Sequence, residues 1–385
     1  MNFEIWSTAE RLEKESQAWD DLWRRSDVAS PSARAIPLKL WHEHFFPRRP
    51  LRAIVVREQG ELLAALPLVV DGIWPKLAQI PFNDWIPGGS LLIDRDRLTS
   101  ANRDAVGDCL AEGVSRFAGH AFWFRNVPWK SAAWQCLIDS LSRRSMPMTS
   151  HLLHEVGLVN LRRNWDEIER DFSGNHRRHM RKAMRRAERE GGVEMQILEG
   201  CGPDELARQL RTGFDLEVGG WKGQEGTAVV QQPGLFDLIV RQAVELSRDD
   251  SVRLVFLRHR ERVIAFEYCW KSKGNLLTPK IAYDESFSSL SPGQLLIDLH
   301  LRELAASATL DQIDFSGPIA DSTRKWCTGF YEAGTVVVGQ AGLVGRAIVA
   351  AYAWRRARKE RAREAAAKTQ VESNAEDAAE TEVVS

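Results

Sequence analysis

The sequence predicts an α+β protein of two similar units, each a mixed, mostly antiparallel sheet flanked by helices, with a helical extension at the carboxyl end. Three observations predict it. The chain has 385 residues, 44% hydrophobic and 27% charged, which is ordinary globular usage and enough for two cores at roughly 100 to 200 residues per domain. Two distant segments repeat one order of elements. A strongly basic segment of helical character separates them.

In the first segment LRAIVV (Leu51 to Val56) reads as a strand, REQGE turns at Gly60, and LLAALPLVV (Leu62 to Val70) returns. The loop FNDWIPGGS, a helix near Ala101 to Phe117 and a strand at Ala121 to Val127 follow. In the second, VRLVFL (Val252 to Leu257) and VIAFEYCW (Val263 to Trp270) form the hairpin, and LLTPKIAY (Leu276 to Tyr283) adds a strand. The loop DESFSSLSPG, a helix at Gln294 to Ala306 and a closing strand at Asp311 to Ser316 complete the repeat. Short apolar runs bounded by turn residues are hairpin signals, and a repeated order points to a duplicated unit. The expected division is 1–150, 151–335, a helical extension over 336–370 and an acidic, disordered tail over 371–385.

Between the repeats, Asn164 caps a long helix that Gly191 and Gly192 end, with Ser173-Gly174 as a point where it can split. VEMQIL and helices near Pro203 to Glu217 and Pro233 to Arg248 follow.

Fifty-two Lys and Arg against 53 Asp and Glu leave a net charge of −1, so no global field draws the protein to nucleic acid. No DNA partner is expected, and membrane contact is left open. The five cysteines are scattered and never form a Cys-x-x-Cys pair, which suits a reducing compartment. The start, MNFEIWSTAERLEKE, lacks a basic stretch leading into an apolar one, so a cytoplasmic protein without a secretory leader is expected. The apolar stretch Thr335 to Trp354 is interrupted by Gly339, Gln340, Gly342, Gly345 and Arg346, poor material for a membrane span.

Five motifs then carry a resemblance: FSGNHRRHMRKAMRRAEREGG, GGWKGQEGTA, VIAFEYCW, YDESFSSLSPGQLLIDLHL and DFSGPIADSTRKW. As a set they resemble the GNAT-type acyltransferases, in particular the group related to CelD cellulose-biosynthesis proteins, and more distantly the Fem peptidyltransferases with two GNAT units. The resemblance is strongest over Val156 to Cys327. It implies a GNAT fold, an acyl-CoA donor, and transfer to an amine or hydroxyl of a small or polymer-linked acceptor, as in exopolysaccharide or cell-envelope metabolism. It carries Asp314 and Lys325 over as motif positions without settling their roles: Asp314 suits the orienting of an amine and Lys325 an anionic acceptor, with simple surface pairing as the alternative for both. The sequence departs from the family where Arg/Gln-x-x-Gly-x-Gly/Ala usually holds pyrophosphate, for SLSPGQLL has one glycine.

That turn still suits an anion. Ser291 can cap the helix, Pro292 fits its first position, and Gly293 and Gln294 bring backbone close to a ligand while several N–H groups stay free. Acyl transfer also needs a base and an acid for the leaving thiolate. Glu267 sits in an apolar strand where an unpartnered carboxylate is costly; it is the expected base, with a structural ion pair as the equal alternative. Tyr283, ending the next strand, is the expected acid, with packing as the alternative for an aromatic residue on a strand. Trp221 and Lys222 lie in a glycine-rich stretch read as an irregular loop that closes over substrate.

The helix from His176 to Glu190 repeats Arg177, Arg178, Arg181, Lys182, Arg185, Arg186 and Arg189 at spacings of three and four. It reads equally as a site for an anionic ligand, with Arg177 and Arg181 foremost, or as a solvated face. No His or Cys cluster has metal-ligand spacing, so no metal is expected. Two further functions fit the same residues: an aminoacyl-tRNA-dependent ligase of the Fem kind, and a scaffold without activity anchored by its basic extension.

Overall fold

The computed structural model describes residues 1–99 and 102–362. The expected acidic tail and the last part of the expected extension lie outside the described residues, as does Ala101. Among the described residues thirteen strands join in one sheet. In chain order they are β1 (Asn2–Trp6), β2 (Leu51–Glu58), β3 (Glu61–Asp71), β4 (Leu77–Gln79), β5 (Leu92–Ile93), β6 (Ala121–Val127), β7 (Met148–Asn160), β8 (Glu194–Leu198), β9 (Val252–His259), β10 (Arg262–Ser272), β11 (Asn275–Tyr283), β12 (Gln312–Asp314) and β13 (Gly329–Gly339).

The hairpins follow from their turns. Gln59-Gly60 and Lys273-Gly274 both sit at positive φ, the two-residue arrangement whose twist matches the flanking strands. The repeat is then visible strand by strand. β1, β2, β3 and β4 pair antiparallel in that order, and β4 pairs parallel with β6. β8, β9, β10 and β11 repeat the pattern, and β11 pairs parallel with β12.

The last strand of each unit crosses to the other. β7 lies antiparallel on β12, β13 lies antiparallel on β6, and the two pair with each other from Gly329↔Leu158 to Val338↔Met148. The expected division at residue 150 therefore falls inside β7. Residues 336–339, expected to be helical, still belong to β13, and the helix begins at 343.

One core is shared by both units. Trp19 and Trp41 from the first pack in the same cluster as Phe214, Phe256, Phe266, Tyr268 and Trp270 from the second. Polar clasps reinforce it. The Lys273 ammonium donates to the carbonyls of Trp23, Ser26 and Val28, and Gln242 donates to the carbonyl of Pro37 at 2.9 Å. On the opposite face of the second unit, the helix Pro292–Ser307 buries Leu295, Leu296, Leu301 and Leu304, and the helix Gly174–Arg189 buries Met180, Ala183 and Ala187.

The long basic segment is two helices. Trp165–Asp171 starts with a capping box between Asn164 and Glu167, and Ser173 caps the second by accepting from the N–H of His176 at 3.2 Å. The stretch read as an irregular loop contains one helical turn, Trp221–Gln224. Buried Glu217 organises it, taking the Lys222 ammonium at 2.5 Å and the N–H of Val229 at 3.0 Å.

Candidate functional site

The second unit opens where its two parallel strands part. β11 and β12 pair only from Asn275↔Gln312 to Leu277↔Asp314. Against β10, β11 advances three residues from Leu277 to Lys280 while β10 advances two, so Thr278-Pro279 forms a bulge that bends β11 away. On the other side the chain leaves β12 through Ser316, whose φ of 57° is held by the Asp314 carboxylate accepting its N–H at 2.7 Å. The result is a gap with unpaired strand edges, and its mouth is the turn into the helix Pro292–Ser307.

That turn differs from the expectation in two respects. Ser291 has φ 56° and makes no side-chain cap. Gln294 and Leu295 both donate their N–H to its carbonyl at 3.0 Å, so of the first turn only the Gly293 N–H lacks a backbone partner among the described residues, Pro292 having none. Tyr283 flanks it: a Cβ on Gly293 would stand 3.3 Å from the tyrosine ring. The Gln294 side chain accepts from the indole N–H of buried Trp326 at 3.0 Å. His176 meets Trp326 edge to face at 4.3 Å, and burial with Lys325 nearby pushes His176 down to about 4. Tyr283, Ser291–Gln294, Lys325 and the first turn of the basic helix thus converge. Trp221 joins them through its backbone N–H, which donates to Glu285 at 3.0 Å.

The basic helix turns its cations outward. Arg178, Arg181, Lys182 and Arg185 are exposed, and within that helix only Arg186 has an ion-pair partner among the described residues, Glu190. Lys222 stands apart, committed to Glu217.

Glu267 lies under the gap. It is 3% exposed and accepts from Nδ1 of buried His300 at 2.8 Å. The Arg253 guanidinium faces the other ring nitrogen at 3.3 Å and is itself paired with Glu199 and Glu303. A void of about 10 Å³, room for one water, connects Glu267 and His300 to Thr278 and Phe315 at the gap. Tyr283, 42% exposed, is not in that lining. Ligand-type atoms of Glu267, Cys269 and His300 lie within 4.8 Å of one another, but the Arg253 cation beside them competes with a metal ion.

Asp314 faces the other side. Burial pushes its carboxyl up to about 6 although Ser316 and Tyr331 donate to it, and burial pushes the Tyr331 hydroxyl well above its usual value. The folded state thus binds this proton more tightly than the unfolded chain, so stability falls as pH rises from about 4 to about 6. Asp314→Asn is expected to be more stable than the parent at pH 7 by about 2 kcal/mol, an advantage that vanishes by about pH 4. Urea unfolding at both pH values checks it; an equal difference at the two refutes it.

On this side a cleft of about 410 Å³ separates the units. Pro279 and Phe315–Pro318 form one wall, Phe82–Pro87 with Arg125 and Asn126 the other, and Leu153 and His154 of β7 contribute as well. Asn83 Nδ2, Asn126 Oδ1 and His154 Nε2 have no hydrogen-bond partner among the described residues. Lys280 reaches over the Trp85 ring at 5.8 Å, and burial pushes its ammonium down to about 8. In a depression of about 510 Å³ at the far end of β9–β11, Glu199 is paired with Arg253 and Lys271.

Residues 174–323 match the family model described as an acetyltransferase (GNAT) domain. This segment is similar to that family and has a GNAT-like fold. The fold of most of the chain is similar to solved structures. The C-terminal domain of a protein described as a lysylphosphatidylglycerol synthetase from Agrobacterium fabrum aligns at 14% identity and TM-score 0.51, covering 86% of this chain and 92% of its own. A conserved protein of unknown function from Bacteroides thetaiotaomicron aligns at 12% identity and TM-score 0.56, covering 88% and 100%. Both likenesses are of fold. No curated protein sequence matches the chain.

Several residues around the gap were not visible in the sequence. His300, Arg253 and Tyr331 become visible only through the partners the fold gives them, although His300 in LIDLHL breaks an apolar run as Glu267 does. Asn126 and His154 lie outside the GNAT segment, on strands whose role depends on the exchange.

Proposed function

We propose that the protein transfers an acyl group from acyl-CoA to an amine or hydroxyl of an acceptor held in the cleft between the units. The observation that carries this reading is the parting of β11 from β12 beside a helix start with a free N–H. Acyl-CoA, when bound, supplies an activated acyl thioester. Its phosphates fit the Gly293 N–H, the helix dipole, Lys325 and the unpaired arginines of the helix Gly174–Arg189, Arg177 and Arg181 foremost. A slender chain fits the gap, which a side chain at Gly293 would narrow. Glu267 accepts the acceptor's proton through the water-sized void, within the one-water reach of a general base, while His300 fixes the carboxylate. Tyr283, beside Gly293, returns a proton to the thiolate. The likeness of the motifs to the CelD-related group supports an acceptor from envelope or exopolysaccharide metabolism.

Thermal unfolding with acetyl-CoA and longer acyl-CoAs tests the reading. At a hundredfold excess over Kd the ligand adds about 2.7 kcal/mol, a rise of several degrees that Gly293→Val abolishes and Lys325→Glu reduces. Absence of a shift with every thioester, together with one from aminoacyl-tRNA, would transfer the donor site to the Fem-type chemistry.

A further inference from the structure

We propose that the edge of the first unit formed by residues 72–76 and the helix over 343–362 docks on an anionic lipid bilayer. Four large apolar side chains stand in water there: Ile73 is 93% exposed, Trp74 71%, Leu343 87% and Trp354 57%. Scattered single residues of this kind are ordinary, but a contiguous set marks a surface that is covered in use. These two segments meet at His120. The Trp74 ring meets His120 edge to face at 5.9 Å, and Lys76 and His120 exchange hydrogen bonds. The carbonyl of His120 accepts from the N–H of Gln340 at 2.9 Å, three residues before Leu343.

The helix continues the patch. Leu343, Ala347, Ala350 and Trp354 follow one another at spacings of four, three and four, which puts them on one face. They point outward, because the opposite face is the one that packs. There Val349 is buried and the Tyr352 ring lies against Trp123 and His151. The same outward face runs on into Arg358 and Arg361, and Arg346 and Arg355 flank it. The one acidic residue over 343–362, Glu360, is paired with Arg356.

An apolar stripe bordered by arginines selects its occupant. Trp, Leu and Ile are favoured at the boundary of head groups and acyl chains, and the guanidinium groups are attracted by anionic head groups. No described helix is long and apolar enough to cross a membrane, so the contact is superficial. This proposal is independent of the donor and acceptor assignments.

Co-sedimentation of the full chain with vesicles tests it, using phosphatidylcholine alone and phosphatidylcholine with about one-third phosphatidylserine. The expected result is binding to the anionic vesicles at about 0.1 M salt, weakened by added salt. Arg358→Glu with Arg361→Glu should weaken it by more than ten-fold, at about five-fold or more for each basic residue near the surface. Trp74→Ser with Leu343→Ser should also weaken it by at least ten-fold, with the melting temperature of the parent showing that the fold is intact. No sedimentation of the parent with anionic vesicles overturns the proposal, as does undiminished binding of the Trp74→Ser, Leu343→Ser variant. A doubled mass in light scattering that the same variant abolishes would assign the patch to a second copy, and overturn it equally.

Discussion

Glu267→Gln is expected to keep the fold and lose turnover by about a hundredfold or more, the usual contribution of a positioned general base. The amide still offers an oxygen to His300 Nδ1, so the bond recorded at 2.8 Å survives, but it does not take a proton at neutral pH. Glu267→Ala is a different experiment. It leaves a buried imidazole N–H without an acceptor and enlarges the void, which together cost about 2 to 4 kcal/mol. Release of free thiol from acyl-CoA follows turnover, and urea unfolding follows stability. Parental turnover in Glu267→Gln would reduce this carboxylate to a structural partner of His300 and Arg253.

The second large effect concerns the junction of the units. Lys273→Met should destabilise the protein by about 3 to 5 kcal/mol, because the ammonium serves three carbonyls at once and methionine serves none. The ammonium also lies 4.4 Å from the centre of the Trp23 ring, a contact whose cation–π share is lost with the charge. Denaturant unfolding of parent and variant measures the difference. A loss below about 1 kcal/mol would mean that water replaces the ammonium at those carbonyls.

Much of the fold was legible because its signals are local. The β2–β3 and β9–β10 hairpins, the helix after the SLSPG turn and the split at Ser173 follow from apolar runs, turn residues and caps within a few positions. β7 and β13 were not legible. MTSHLLHEVGLVN and GFYEAGTVVVG alternate poorly, and what makes them strands is the neighbours that the other unit supplies. The same distinction runs through the site. Glu267 stood out as a carboxylate in an apolar strand, and SLSPG as a helix start. The void beneath the gap, and the cleft that Asn83, Asn126 and His154 line together, are tertiary facts. So is the position of Ser291: a residue type that caps helices is carried instead into the left-handed region, because the preceding 3₁₀ turn delivers the chain there.

The exchange of β7 and β13 also has a consequence during synthesis. The partner on the second edge of β6 lies at residues 334–339, so that edge stays bare while roughly two hundred further residues leave the ribosome, on the order of ten seconds or more at about 5 to 20 residues per second. For that interval the nascent first unit is an unfinished sheet with an open hydrogen-bonding edge, able to pair with the wrong chain. A circular permutant that is translated with β13 ahead of β6 would close that window.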